Sequence, residues 1–220
     1  MKSKLSHAVL DIGSRQKKAR MIIGILKNYK NIKNSKVLDI GTGSGVIAHE
    51  IGKIAGNVYS VDIRDERVLK GGYIFKKIKN EGLPFKNSEF DIVISNHVMA
   101  HVKNDELHLK EIRRVLKSDG FAYLSMLNRL WFLEPNFNLL FLSWVPKRIA
   151  DFYVRLAGKG RHYDVHPLGY CAFLEKIGKH FDYEDITIKV INQKVSMPDY
   201  AYRLLKLFSP VWVFVLKKRR

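Results

Sequence analysis

Val37-Leu38-Asp39-Ile40-Gly41-Thr42-Gly43-Ser44-Gly45 is the stretch on which the reading of this chain turns. A short apolar run stops in three alternating glycines, and apolar residues at helical spacing resume from Val46. A strand that runs through glycines into a helix lets backbone N–H groups approach a ligand closely. No Lys-Ser/Thr pair follows, so the loop is not a Walker A phosphate cradle. Nor does it fit the dinucleotide pattern G-x-G-x-x-G, because residue 46 is valine and the third glycine comes one step early. Asp39 would repel a pyrophosphate and suits a cationic ligand, such as the ammonium group of an amino acid. Asp62 lies 17 residues past Gly45, at the end of a second expected strand, Asn57–Asp62. There its carboxylate can accept hydrogen bonds from both hydroxyls of an adenosine ribose.

Outward from this stretch the chain alternates strands and helices. Tyr73–Ile78 reads as a third strand and Phe90–Ser95 as a fourth. Asp105–Lys117 places Leu107, Leu109, Ile112, Val115 and Leu116 largely on one face and is stopped by Ser118-Asp119-Gly120, an amphipathic helix with a glycine terminator. Phe121–Met126 reads as the fifth strand, and Tyr183–Ile191 and Val211–Leu216 as two late ones. Alternation of this kind implies an α/β fold, a doubly wound and mostly parallel sheet, with the close C-terminal pair antiparallel. Without repeats or low-complexity linkers, residues 1–220 read as a single domain. A basic helical extension covers 1–35, and an aromatic insertion over 128–160, cut by Pro135 and Pro146, reads as a lid.

The 220 residues are 46% hydrophobic and carry 39 Lys+Arg against 21 Asp+Glu, a formal net charge of +18. Residues 1–36 contribute +9 and residues 201–220 contribute +6, so the stretch between is only +3. Basic ends on a near-neutral body point to docking on a polyanion, an anionic membrane surface or nucleic acid; a lysine-rich composition bias is the plain alternative. One cysteine, Cys171, excludes an internal disulfide framework and cysteine-based metal clusters. The uncharged runs are too short to span a bilayer, and the basic N-terminus lacks the apolar core of a signal peptide. The expectation is a cytoplasmic protein, with peripheral membrane contact open.

The loop Asp39–Gly45 resembles motif I of the class I S-adenosylmethionine-dependent methyltransferases. Gly82-Leu83-Pro84-Phe85, Ser88–Ser95, His97–Val102 and Glu111–Gly120 continue the likeness in order, in the manner of the "type 11" group that includes quinone-biosynthesis methyltransferases. The likeness covers roughly residues 36–127 and is specific for the cofactor fold rather than the acceptor. It implies a seven-stranded Rossmann-like sheet with an antiparallel last strand, and S-adenosyl-L-methionine as cofactor. It further implies that Gly41, Thr42, Gly43 and Gly45 cradle the methionine portion and that Asp39 lies near its ammonium group. By the same likeness Asp62 holds the ribose, Ile63 packs on the adenine, and Asn80 or Glu81 lies near the adenine amino group. Asn96 and His97 border the transferable methyl. The short interval from Asp62 to Leu83 implies a truncated helix between the second and third strands.

Methyl transfer is an in-line displacement at a sulfonium carbon, so alignment and exclusion of water do most of the work. A general base is required only where the acceptor atom must lose a proton. His97 and His101 flank the expected site and are the candidate catalytic residues, with packing or capping the competing role for His101. Glu134, His162, Tyr163 and His166 are candidate acceptor-binding residues, although an ordinary polar loop explains the cluster 161–166 equally well. No second acidic cluster stands at metal-ligand spacing, so no metal is expected. The fourth strand ends Ser95-Asn96-His97-Val98, not in the Asn/Asp-Pro-Pro-Tyr of amino methylation, and Cys171 lies far from it, which weakens a nucleic-acid reading. The aromatic insertion suits a small-molecule or lipid-like acceptor, though packing against the sheet would explain the same residues. RNA methylation is the alternative, followed by a non-catalytic subunit that only binds the cofactor.

Overall fold

Residues 11–192, 206 and 208–219 are described by a computed structural model of the chain. The first element, α1 (Ile12–Lys27), begins where the Asp11 carboxylate accepts from the N–H groups of Gly13 and Ser14 at 3.2 and 3.1 Å. It buries Ala19, Ile22, Ile23 and Leu26. β1 (Lys36–Ile40) then feeds the glycine loop and α2 (Val46–Gly52), and β2 (Asn57–Asp62) and β3 (Ile74–Lys77) follow. β4 (Phe90–Asn96), α3 (Asp105–Val115) and β5 (Leu116–Leu127) complete the parallel part of the sheet. The outer connection holds a small hairpin, β6 (Leu133–Glu134) with β7 (Leu139–Leu140), a 3-10 turn at Leu142–Trp144, and α4 (Lys147–Leu156). The chain returns through α5 (Tyr170–Gly178), β8 (Phe181–Asp185), α6 (Thr187–Asn192) and β9 (Val211–Lys218).

Seven strands form one sheet in the order β3-β2-β1-β4-β5-β9-β8. The pairs from β3 to β5 are parallel, and β9 runs antiparallel to both β5 and β8. This is the expected doubly wound, mostly parallel seven-stranded sheet with an antiparallel last strand. Side-chain alternation along the strands sorts the core onto two faces. Val37, Ile92, Ile94, Tyr123, Val213 and Val215 pack with α1 and α2, whereas Leu38, Val93, Leu124, Trp212 and Phe214 pack with α3 and α5. Each such Leu, Ile or Val, fully removed from water, contributes about 1.5–3 kcal/mol. Both helical layers are therefore needed to hold the sheet.

Several sequence expectations change. Tyr183–Ile191 is not one strand: β8 ends at Asp185, whose carboxylate accepts from Thr187 N at 2.9 Å and starts α6. The β-branched run Thr187-Ile188-Lys189-Val190 is helical because Ile186, Thr187 and Val190 then face β9, and that tertiary burial outweighs strand propensity. The helix expected to reach Lys117 stops at Val115, and β5 is correspondingly longer than Phe121–Met126. Gly120 does not terminate a helix; a Cβ there would come within 2.8 Å of the Asp91 carbonyl, so close backbone approach explains the glycine. The third strand contracts to Ile74–Lys77. No helix, truncated or otherwise, occupies residues 63–73; this segment lies over the glycine loop, with Val68 N and Leu69 N both donating to Ser44 O. Of the basic C-terminal stretch 201–220, residues 201–205, 207 and 220 lie outside the described residues. Among those described, no helix is long and apolar enough to cross a membrane.

Candidate functional site

The carboxyl ends of β1, β2 and β4 converge, as parallel strands of an open sheet require, at the point where strand order reverses. The glycine loop crosses this end. Gly41, Gly43 and Gly45 have φ of +77°, +51° and +80°, in the left-handed region that favours glycine. Space demands it too: a Cβ on Gly41 would overlap the Val98 side chain, and one on Gly45 would overlap the Leu69 carbonyl. Thr42 Oγ1 and Ser60 Oγ share a hydrogen bond of 2.7 Å that fixes the loop to β2. Asp62 clasps it from the side, accepting from Gly43 N at 2.9 Å through Oδ2 and from Arg64 N at 3.1 Å through Oδ1.

Asp39 is 1% exposed, and its Oδ2 has no hydrogen-bond partner among the described residues. Burial first, and then the neighbouring Asp62 carboxylate, push its pKa well above the ordinary value; Arg15 pulls in the other direction. A buried carboxylate with an unsatisfied oxygen is costly unless a cation or donor completes it. Ile63, immediately beyond Asp62, is 56% exposed, an apolar platform at the rim. At the end of β4, Asn96 Oδ1 accepts from Ser125 Oγ at 3.0 Å. His97 follows with φ +62°, and its N–H donates to the Ser125 carbonyl and hydroxyl. Such a backbone is uncommon outside glycine and aims the ring across the strand ends.

The His97 ring meets α1. Lys18 Nζ lies 2.6 Å from His97 Nε2, and His97 Nδ1 has no partner among the described residues. Burial, then the charges of Lys18, Arg15 and His101, hold the His97 pKa well below its ordinary value, so the imidazole is neutral near pH 7. With Lys18 donating to Nε2, the proton of the neutral ring resides on Nδ1. Arg15 and Lys18 were missed by the sequence reading, which assigned residues 1–35 to an extension apart from the chemistry. The signal was there: Arg15 precedes Ala19 and Lys18 precedes Ile22 by four residues, so the apolar face of α1 continues as a cationic one.

Other sequence candidates lie apart. Asn80 is exposed and its Oδ1 accepts from Gly82 N at 3.0 Å; Glu81 Oε1 accepts from Lys103 N and Asn104 N, bracing the turn before α3. His101 N donates to Val98 O, closing the turn after β4. Glu134 is buried in the outer connection, where it accepts from Asn136 N and Phe137 N. Tyr163 is buried too, its hydroxyl 2.8 Å from Ser143 Oγ and its pKa raised chiefly by burial. His162 is exposed, 3.7 Å from Asp151, while exposed His166 donates its backbone N–H to Ala100 O at 2.7 Å. The structure thus brings together Asp39, the glycines, Asp62, Ile63, Asn96 and His97, and leaves the 134–166 candidates to hold the connection in shape. Among the described residues, no group of three or more His, Cys, Asp or Glu could hold a metal ion.

A family model described as "Methyltransferase domain", type 11, matches residues 38–124, from β1 through β5. Residues 38–124 are thus similar to a type 11 methyltransferase domain. Relatives of this domain include a ubiquinone biosynthesis O-methyltransferase of Bartonella quintana, 27% identical over 132 residues, 54% of this chain and 53% of the relative. A protein of Methanocaldococcus jannaschii is 33% identical over 134 residues, 59% of this chain and 58% of that one. The chain spans about half the length of the curated relatives it matches. Among solved structures, an S-adenosylmethionine-dependent methyltransferase of Mesorhizobium loti superposes with a TM-score of 0.63 at 14% identity, covering 92% of this chain and all of that one (100%). A protein of Pyrococcus horikoshii superposes with a TM-score of 0.62 at 17% identity, covering 95% and 94%. These two likenesses speak for the fold of the methyltransferase domain. The cofactor that the family resemblance implies agrees with one feature of this chain in particular: Asp39 lacks a cationic donor where an α-ammonium group would supply one.

Proposed function

We propose that this protein is an S-adenosylmethionine-dependent methyltransferase acting on a small-molecule or lipid-like acceptor. The observation that carries the reading is the buried, unsatisfied Asp39 carboxylate at the mouth of a positive-φ glycine loop, with Asp62 one strand away. In this reading Asp39 receives the α-ammonium group, the loop backbone from Gly41 to Gly45 follows the methionine chain, and Asp62 holds the ribose hydroxyls. Ile63 offers a face for the adenine. S-adenosylmethionine supplies a methyl group already activated on its sulfonium.

The protein's own residues then align and dehydrate the reaction. Asn96, held by Ser125, and His97, held by its positive-φ backbone, border the point of transfer. His97 is kept neutral, and with Nε2 accepting from Lys18 and the proton on Nδ1 its ring positions the acceptor; it takes a proton from an acceptor hydroxyl only when Lys18 turns away from Nε2. Arg15 opposes the charge of Asp39, and with Lys18 beside His97 it suits the carboxylate of an amino-acid ligand. Apolar residues of the outer connection, Phe137, Leu142, Ala150 and Val154, share a core with Met99 and Ala100 just past His97, which supports an apolar acceptor side.

RNA methylation is the second reading, favoured by a groove lined by Lys110, Arg113, Lys179, His180, Lys218 and Arg219. The groove borders the start of β4 and the end of β9, the pole of the sheet opposite Asp39, so it cannot present a base to His97 directly. Calorimetric titration tests the cofactor assignment: binding in the wild type and its loss in Asp62→Ala are expected, and undiminished binding in that variant removes the assignment. Labelled-methyl transfer to lipid extracts against total RNA separates the two acceptor classes.

A further inference from the structure

We infer that the outer face of the 128–162 connection is a docking surface for an anionic lipid bilayer, with α4 lying in the plane of the interface. The side of α4 that faces the protein carries Ala150 and Val154, both fully buried. At 100° per residue the opposite side carries Ile149, Phe152 and Leu156, which are 54%, 58% and 75% exposed. A helix of a water-soluble surface puts its polar side there; this one puts an apolar ridge there. Arg155 precedes Leu156 and Arg148 precedes Ile149 by one position, so both line the same side of the ridge. Both are exposed and neither forms an ion pair among the described residues. Apolar stems beside a buried ridge, with guanidinium heads above it, is the geometry in which arginine reaches lipid phosphate.

The neighbouring hairpin and 3-10 turn repeat the pattern. Phe132, Leu140, Phe141 and Trp144 are each about half exposed, with Phe141 and Trp144 rings 4.9 Å apart. Phe141 holds φ +56°, a strained conformation for an aromatic residue, and its ring nevertheless points outward. The two acids of the connection are consumed internally: Glu134 by Asn136 and Phe137, Asp151 by Tyr163 N and Lys147. Arg148, Arg155, Lys159 and Arg161 are left to set the sign of the surface. A cationic edge beside an apolar ridge complements an anionic leaflet better than it complements a second copy of itself, where like charges would meet.

The inference rests on the proposed function for its purpose alone. The connection leaves the sheet at the carboxyl end of β5, the end where Asp39 and Asn96 lie, so docking here would turn the site toward the leaflet that supplies an apolar acceptor. Flotation with vesicles of phosphatidylcholine, or of phosphatidylcholine mixed with phosphatidylglycerol, without cofactor, tests docking separately from methyl transfer. Wild-type protein is expected to bind the mixed vesicles preferentially. Phe152→Ser alone should weaken binding, and Ile149→Ser/Phe152→Ser/Leu156→Ser should abolish it, with circular dichroism and melting unchanged. Arg148→Gln/Arg155→Gln should reduce affinity for the mixed vesicles about 30-fold, from about 1 kcal/mol per arginine at an anionic surface, whereas Lys218→Gln/Arg219→Gln should leave it intact. Absence of wild-type binding, wild-type binding by the folded triple variant, or loss of binding in the Lys218/Arg219 variant would overturn the inference. So would a ridge-dependent dimer in sedimentation equilibrium without lipid. Methyl transfer to a soluble acceptor by a triple variant that no longer binds vesicles would uphold the enzyme and the docking face together.

Discussion

Replacing Asp39 with asparagine separates stability from ligand binding, because the two should move in opposite directions. Asp39 Oδ2 is buried without a partner, and the Asp62 carboxylate repels it; Arg15 offsets only part of this. An acid whose pKa rises on folding leaves stability untouched below its unfolded value, here 3.8, and subtracts from it as pH climbs from there toward the folded value. Asp39→Asn should therefore be neutral near pH 3 and stabilising at pH 7, by about 1–3 kcal/mol, the usual cost of an unsatisfied buried group. For a chain of this size that is about 2–4 °C of melting temperature per kcal/mol. The same variant removes a charge-assisted hydrogen bond to the ammonium group, worth about 1.5–3 kcal/mol, so the dissociation constant for S-adenosylmethionine should rise about 10- to 150-fold. Differential scanning fluorimetry at several pH values and isothermal calorimetry measure the two halves. A variant that melts lower at pH 7 and binds S-adenosylmethionine as tightly as wild type would show Asp39 to be an ordinary structural acid, and the site assignment would fall.

Three further outcomes follow from the geometry. His108 is buried with its Nε2 2.9 Å from Ser95 Oγ, and burial lowers its pKa to about 4; a histidine charged less easily when folded loses stability as pH falls from about 6.5 toward 4. The loss should total on the order of 3 kcal/mol in urea titrations, and His108→Gln should flatten it. Gly41→Ala sets a Cβ against Val98 at φ +77° and should lower stability by about 1–3 kcal/mol, with a larger fall in cofactor affinity, seen by melting and calorimetry. Lys18→Met removes the cation 2.6 Å from His97 and should raise the His97 pKa, moving the acid limb of the pH–rate profile to higher pH; an NMR titration of the ring checks the same shift.

The fold was legible where local and tertiary preferences agree. Val37–Ile40 and Phe90–Ser95 are strands buried on both faces, and short apolar runs, each broken by a single aspartate (Asp39, Asp91), report that directly. Thr187–Asn192 misled because its β-branched residues favour a strand locally, while the contact with Val213 and Val215 that makes it a helix lies more than twenty residues away. The ligand loop was readable because Asp39, Gly41, Gly43 and Gly45 are close in sequence and each bears a constraint of its own. The cationic side of the site was not, because Arg15 and Lys18 come to His97 only through the packing of α1 on α2 and the sheet. Counted as charge, they belonged to a docking end; placed by the fold, they face Asp39 and His97, whereas Lys30 and Lys36 pair with Asp91, Asp119 and Glu89. Four of the ten bases of residues 1–36, namely Arg15, Lys18, Lys30 and Lys36, are thus engaged within the body.

The segment 63–73, which carries no helix, has a mechanical meaning. Its backbone lies flat on the glycine loop and α2: Leu69 O fills the place of a Cβ on Gly45, Gly72 O that of a Cβ on Gly52, and Ser44 O takes both Val68 N and Leu69 N. Rim and cradle are one slab, with no side-chain layer between them to absorb displacement. A push on the exposed Val68 reaches the carbonyl of Ser44 through the hydrogen bonds from Val68 N and Leu69 N, so whatever touches that turn from outside holds a handle on the loop within.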